Sequence, residues 1–192
     1  RTHSQLTQFC QELKRTTYFS GKPVVQKKED MAKAPQIFPV ALGSRSQLCT
    51  IETVRTLPSQ AAVNDACQRK RDAKGGCECN RKEAVHALAV ESLASGVVDV
   101  EELHKLGVRR SACSYYASRT LMHQCDVVVL PYQLLFHEAS REALNLHLER
   151  SIVIVDEAHN LVDAINQMYS ATLTKAVVNA AREQLTAYLA RY

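Results

Sequence analysis

Two sets of residues in this chain have side chains and spacing suited to chemistry. The first is the adjacent pair Asp156 and Glu157, which follows four β-branched residues, Ile152 to Val155. Where a strand ends in neighbouring acids, one carboxylate can hold Mg²⁺ through its waters while the other orients or deprotonates an attacking water, a division of labour that suits nucleotide hydrolysis. The second set is five cysteines, Cys49, Cys67, Cys77, Cys79 and Cys113, separated by 18, 10, 2 and 34 positions. Four thiolates can bind either Zn²⁺ or a [4Fe–4S] cluster. The paired C-x₂₋₄-C knuckles of a zinc ribbon are missing, so the spacing leans away from that arrangement. Cys77 and Cys79 compete for one position, and Gly75-Gly76 favours Cys77 by letting the backbone wrap closely.

The elements that must position these groups can be read from hydrophobic periodicity. The unbroken apolar run 152–155 predicts a strand buried on both faces of a parallel sheet, with the acids projecting into the crevice beyond its carboxyl end. Phe38–Leu42 before Gly43, and Asp126–Leu130 before Pro131, predict two further short buried strands. Leu6, Phe9, Cys10 and Leu13 form one stripe of a first helix with Cys10 in the core; Thr2 or Ser4 can cap it. Between the third and fourth cysteine positions, Val85, Leu88, Ala89 and Leu93 form another stripe. Asp99 and Glu102 read as a capping box for a short helix stopped by Gly107. His86, His104 and His123 lie on these helical segments as ordinary flanking residues. Tyr115, Tyr116 and Arg119 fall on a helix after Cys113, where aromatics beside arginines can stack bases or simply pack. Val177, Ala181, Leu185, Tyr188 and Leu189 form a broad apolar face on a last helix capped by Thr174. Residues 17–35 read as a polar surface loop.

Asp156-Glu157-Ala158-His159 resembles the DEAH-type motif II of superfamily 2 helicases, and the rest of the chain resembles their XPD-like iron–sulfur family. Arg1-Thr2-His3-Ser4-Gln5 is similar to motif Ia, T-R-T-H-S-Q. Ser44-Arg45-Ser46-Gln47-Leu48-Cys49 is similar to the Ser-Arg-x-x-Leu-Cys segment that opens the family's cluster domain. Val98 to Gly107 resembles D-x-E-E-L-x-x-L-G, and Ala112-Cys113-Ser114-Tyr115-Tyr116 resembles A-C-P-Y-Y, with Ser114 departing from the proline. Pro131-Tyr132-Gln133-Leu134-Leu135 matches P-Y-x-x-L-L. Within the family, the chromosome-loss (sister-chromatid cohesion) helicase branch is the nearest in pattern, and XPD itself is second.

The resemblance implies an α/β fold. It comprises part of a RecA-like (P-loop NTPase) helicase domain 1, an inserted small, mostly helical iron–sulfur cluster domain, and the start of a helical arch. The implied boundaries are 1–43 and 125–168 for the RecA-like parts, 44–124 for the cluster domain and 169–192 for the arch. It further implies a [4Fe–4S] cluster on Cys49, Cys67, Cys77 and Cys113, with Cys79 the alternative to Cys77. Asp156 would hold Mg²⁺ with ATP, Glu157 would activate water, and His159 would relay nucleotide state. Arg1, Thr2, His3 and Arg45 would contact single-stranded DNA. Single-stranded and forked duplex DNA are the implied nucleic-acid partners, the arch is a surface for protein partners, and the setting is nuclear genome maintenance.

The chain has 192 residues, net charge +4 and seven cysteines. No apolar run approaches a membrane span and no signal-peptide pattern opens the chain, so a soluble protein in a reducing compartment is expected. Arg69-Lys70-Arg71, Arg81-Lys82 and Arg109-Arg110 cluster positive charge, which suits phosphate binding. Ser20-Gly21-Lys22 is not a Walker A loop, and no second lobe is visible. The expectation is therefore an internal part of a longer helicase, unable to hydrolyse ATP unaided. The rival reading is a non-enzymatic, metal-stabilised (Fe–S or Zn) nucleic-acid-binding module.

Overall fold

The computed structural model describes residues 3–16, 37–96 and 99–191, with side chains beginning at Leu6. The expected loop 17–35 and the residues Arg1 and Thr2 lie outside that range. Two compact units are present, Arg1–Pro131 and Tyr132–Tyr192, and each is described by itself.

The first unit begins with helix α1 (His3–Arg15), whose Cys10 is fully buried as its stripe predicts, whereas Phe9 of the same stripe is exposed. Strand β1 (Pro39–Ala41) follows. Six helical segments among the described residues then fill the chain before the next strand: α2 (Arg45–Leu48), α3 (Glu52–Arg55), α4 (Gln60–Asp72), α5 (Lys82–Ser95), α6 (Val100–Arg110) and α7 (Ser114–Met122). Strand β2 (Val127–Val129) pairs with β1 in parallel, Pro39 opposite Val127 and Ala41 opposite Val129. Asp126 fixes the start of the ladder, because its carboxylate accepts the Phe38 N–H at 2.9 Å. Both short strands thus stand where their apolar runs place them, but only β1 is buried; β2 is half-buried, against the expectation. The whole cysteine-bearing segment is the crossover that a parallel pair requires.

That crossover has its own core. Leu48, Val54, Val63, Leu88, Val100, Leu103, Leu106 and Leu121 are buried, and α5, α6 and α7 pack on one another with α2 against α6. Two expectations are corrected here. Gly107 lies inside α6 rather than ending it; the helix runs on to Arg110 and stops at Ser111 in a left-handed conformation, φ 48°. The reason is packing: a Cβ at Gly107 would lie 1.9 Å from Ser114 Oγ and 2.8 Å from the Ala112 carbonyl, so glycine permits the close approach of α6 to the start of α7. Asp99 does stand at the N-cap of α6, but its side chain makes no cap bond. Its carboxylate instead accepts the Thr7 hydroxyl at 3.0 Å, while Glu102 pairs with Lys14. The supposed capping box is a pair of struts to α1.

The second unit contains α8 (Tyr132–Phe136), α9 (Glu138–Leu144), a 3₁₀ turn (Ala158–Asn160), α10 (Leu161–Tyr169) and α11 (Lys175–Leu189). Thr174 caps α11 as expected, accepting the Val177 N–H at 3.3 Å. The predicted strand 152–155 does not form. The segment belongs to no ladder, and Ile152 and Ile154 are 91% and 86% exposed. No strand among the described residues of this unit offers its backbone a partner, and without one an apolar run stays bare. No helix among the described residues is long and apolar enough to cross a membrane.

Candidate metal centre and acidic turn

The five cysteines singled out by spacing converge. Cys49, Cys67, Cys77, Cys79 and Cys113 all line one small hollow in the first unit. Each arrives on a different local device. Cys49 closes α2, whose first turn is held by Gln47 accepting the Ser44 N–H at 2.8 Å. Cys67 projects from α4, a helix started by Ser59 accepting the Ala62 N–H. Cys77 and Cys79 lie in a turn after Gly75 and Gly76, whose φ values of +96° and +69° are those that favour glycine. Cys113 stands at the N-cap of α7 and donates its backbone N–H to the Cys79 carbonyl at 2.7 Å. Cys10 and Cys125 do not line the hollow.

The donor set is soft. No histidine or carboxylate shares the lining; the charged groups on it are Lys70 and Arg71. Thiolates gathered around a metal carry excess negative charge, and two cations at the rim are what would offset it. Burial pushes the Cys113 thiol up to about 11, with the Cys49 and Cys77 thiols adding to the rise. The Cys49 thiol is likewise raised, by burial first and then by Cys67, Cys77 and Cys79. A metal bound here would therefore displace protons. Among the described residues no group of three His, Cys, Asp or Glu side chains is close enough to hold a metal ion as they stand. By donor type alone, a lining with five cysteines would suit a thiolate-bound metal or cluster.

Beside the hollow, Tyr115 is gripped by two guanidiniums. Arg119 Cζ lies 3.4 Å and Arg45 Cζ 4.3 Å from its ring centroid. Arg119 also donates to the Gly43 carbonyl at 3.1 Å and to the Tyr115 carbonyl at 3.0 Å, tying α7 to the end of β1. Arg71 donates to the Tyr116 hydroxyl at 2.8 Å, joining α4 to α7. Sequence alone allowed these tyrosines either to stack bases or to pack; in this structure they hold arginines. The signal for the clasp, basic residues at three separated points, is too diffuse to read without the fold. Arg45 turns inward to this clasp and donates to Asn64 at 3.4 Å. His3 opens α1. His86 and His123 are exposed and His104 is half-buried; none lines the hollow.

In the second unit, Asp156, Glu157 and His159 lie together in one tight turn. Asp156 Oδ1 accepts the Glu157 N–H at 3.0 Å, and Glu157 Oε2 is 3.2 Å from His159 Nδ1. Glu157 has a left-handed backbone, φ 50°. Two side chains hold it there: Asn160 donates to the Glu157 carbonyl at 3.1 Å, and the Tyr132 hydroxyl donates to the carbonyls of Asp156 and Glu157. All three candidate residues are exposed to solvent. The supporting roles of Tyr132 and Asn160 were not readable from spacing.

Comparison with known proteins follows the same lines. The DEAD_2 family matches residues 1–178. The chain is 37% identical over 195 residues to the ATP-dependent DNA helicase CHL1 of Yarrowia lipolytica, covering 98% of this chain and 23% of that protein. It is 35% identical over 196 residues to the helicase of the same name in Candida albicans, covering 100% and 22%. A human protein named DDX11-like protein 8 is 38% identical over 212 residues, covering 100% and 22%. The chain thus spans between a fifth and a quarter of the length of these relatives. With the family matched over residues 1–178, the chain belongs to the DEAD_2 family.

Proposed function

We propose that this chain is the part of an ATP-dependent DNA helicase that carries motif II and a [4Fe–4S] cluster domain. The observation that carries the reading is the convergence of thiols from four separated segments on one hollow with no histidine or carboxylate in its lining. Cys49, Cys67, Cys77 and Cys113 would hold the cluster, with residues 44–124 as its domain. The cluster supplies a covalent staple to a region too small for a large core, since unwinding requires no electron transfer. Residues 1–43 and 125–168 would be RecA-like parts, and 169–192 the start of the arch.

The acidic turn would do the nucleotide chemistry. Asp156 would hold Mg²⁺, which neutralises phosphate charge and orients it. Glu157 takes a proton from the attacking water, and His159, in contact with Glu157, passes the state of the nucleotide to the DNA site. Arg1, Thr2 and His3 would bind DNA phosphates at the N-terminal end of α1, where free backbone N–H groups and the helix dipole favour an anion. Arg45 would add a cation at the junction of cluster domain and DNA. Translocation along single-stranded DNA, opening of forked duplexes and a nuclear role in genome maintenance belong to this proposal; the relatives' names support DNA helicase activity in the family.

Anaerobic purification of the full-length protein tests this reading. A brown protein with broad visible absorbance and about four irons per chain is expected. Glu157→Gln should keep the colour and lose DNA-stimulated ATP hydrolysis. A colourless protein holding zinc would defeat the cluster assignment, and unchanged hydrolysis in Glu157→Gln would defeat the role of the turn.

A further inference from the structure

The hollow has one thiol more than a four-thiolate site uses, and the extra thiol is not placed at random. Cys79 lies two residues from Cys77 in the same turn, which Asn80 closes by donating its N–H to the Cys77 carbonyl at 2.9 Å. Cys79 is also the better anchored of the two. It is 8% exposed, and its carbonyl accepts the N–H of Cys113, itself a candidate ligand, at 2.7 Å. Cys77 instead follows two glycines in open surroundings. A Cβ on Gly75 would meet nothing within 4 Å, and one on Gly76 only the Arg71 carbonyl at 3.9 Å. The stretch before Cys77 is tied only to its own turn, by Gly76 donating to the Ala73 carbonyl at 2.8 Å, whereas Cys79 is bonded across to the start of α7. Both thiols border the same space, and Cys49 lies within electrostatic reach of each.

We propose that Cys79 is a reserve ligand: the third position of the thiolate set can be filled by Cys77 or by Cys79, so the site survives loss of either one. This rests on the cluster reading above. The exchange is balanced in protons, since Cys79 gives one up as it ligates and Cys77 takes one as it leaves, and no electron moves. Gly75 and Gly76 supply the backbone freedom for Cys77 to withdraw.

The test uses the full-length protein purified without oxygen, with iron and sulfide per chain and visible absorbance as readouts. Cys77→Ser and Cys79→Ser should each keep more than about half of the wild-type iron, while the double variant should fall below about a tenth, like Cys49→Ser. Cys77→Ala, which cannot ligate through oxygen, should match Cys77→Ser. Loss of iron from both Cys77 variants to the level of Cys49→Ser, in protein that elutes as wild type does, would assign Cys79 to packing alone and overturn the inference. Iron retained by the double variant would overturn it too, by placing the third ligand elsewhere. A wild-type protein without iron is a different result: it removes the cluster reading, and the reserve ligand with it.

Discussion

At Gly107 the side chain of any other residue meets atoms that cannot easily give way. One of them, Ser114 Oγ, is buried and already donates to the Leu103 carbonyl at 2.9 Å, and another, the Ala112 carbonyl, is backbone. Gly107→Ala should therefore destabilise the first unit by about 2–3 kcal/mol, the cost typical of overpacking, and shift its denaturant midpoint accordingly. It should also disturb Cys113, the residue that follows Ala112. Tyr132 makes a different kind of contribution. Its hydroxyl holds carbonyls on either side of a left-handed Glu157, so Tyr132→Phe in the full-length protein should lower ATP turnover by about threefold to tenfold with DNA affinity unchanged. Equal losses in both would show that the tyrosine acts on folding instead. Two cysteines outside the hollow set a pH limit. Burial pushes Cys10 to about 12 and Cys125 to about 11, against an ordinary 9.0, with Asp99 and Asp126 respectively adding to the rise. Both are neutral when folded, so the stability they contribute is complete below pH 9.0 and drains away as pH rises through about 11 to 12. Thermal unfolding measured across that alkaline range should show the fall, and Cys10→Ala should flatten it.

Between elements, the ties from α1 to α6 are the most consequential. Thr7 with Asp99 and Lys14 with Glu102 join the helix that opens with His3 to one that packs in the cysteine-bearing crossover. Asp99 is 7% exposed, so removing Thr7 leaves a buried carboxylate without that partner. Thr7→Val should cost about 1–3 kcal/mol in a denaturant titration, more than Lys14→Ala, whose ion pair is half-exposed. These contacts also show what a sequence can and cannot disclose. The short strands β1 and β2, the stripe on α1, the cap of α11 and the cysteine set were all legible, because apolar runs, periodicity and donor chemistry are local or compositional signals. Helix α4 was not, since its residues are largely polar and one buried side chain, Val63, leaves no stripe to read. Asp99 and Glu102 matched a local rule for capping, yet partners about ninety positions away claimed both carboxylates. Gly107 matched a rule for stopping helices, and a tertiary close approach overrode it. Among site residues, the thiols and the acidic turn were legible by type. The arginine clasp on Tyr115 was not, because it is assembled from Arg45 and Arg119 through the fold alone.

Over the whole molecule, the crossover between two parallel strands is also the segment that carries the thiols, so the proposed cluster would link metal content to chain organisation there. Chelation or oxidation of that cluster should render the stretch between Cys49 and Cys113 sensitive to protease before the rest, as limited digestion followed by mass mapping would show. The bare segment 152–154 has a consequence of its own. Exposed isoleucines on an extended backbone without ladder partners are a template on which another chain can add itself as a neighbouring strand. Handled as a separate 192-residue polypeptide, this stretch should be sticky, with light scattering that climbs with concentration. Lysines at Ile152 and Ile154 should quiet the scattering, at the expense of the very side chains a buried sheet would need.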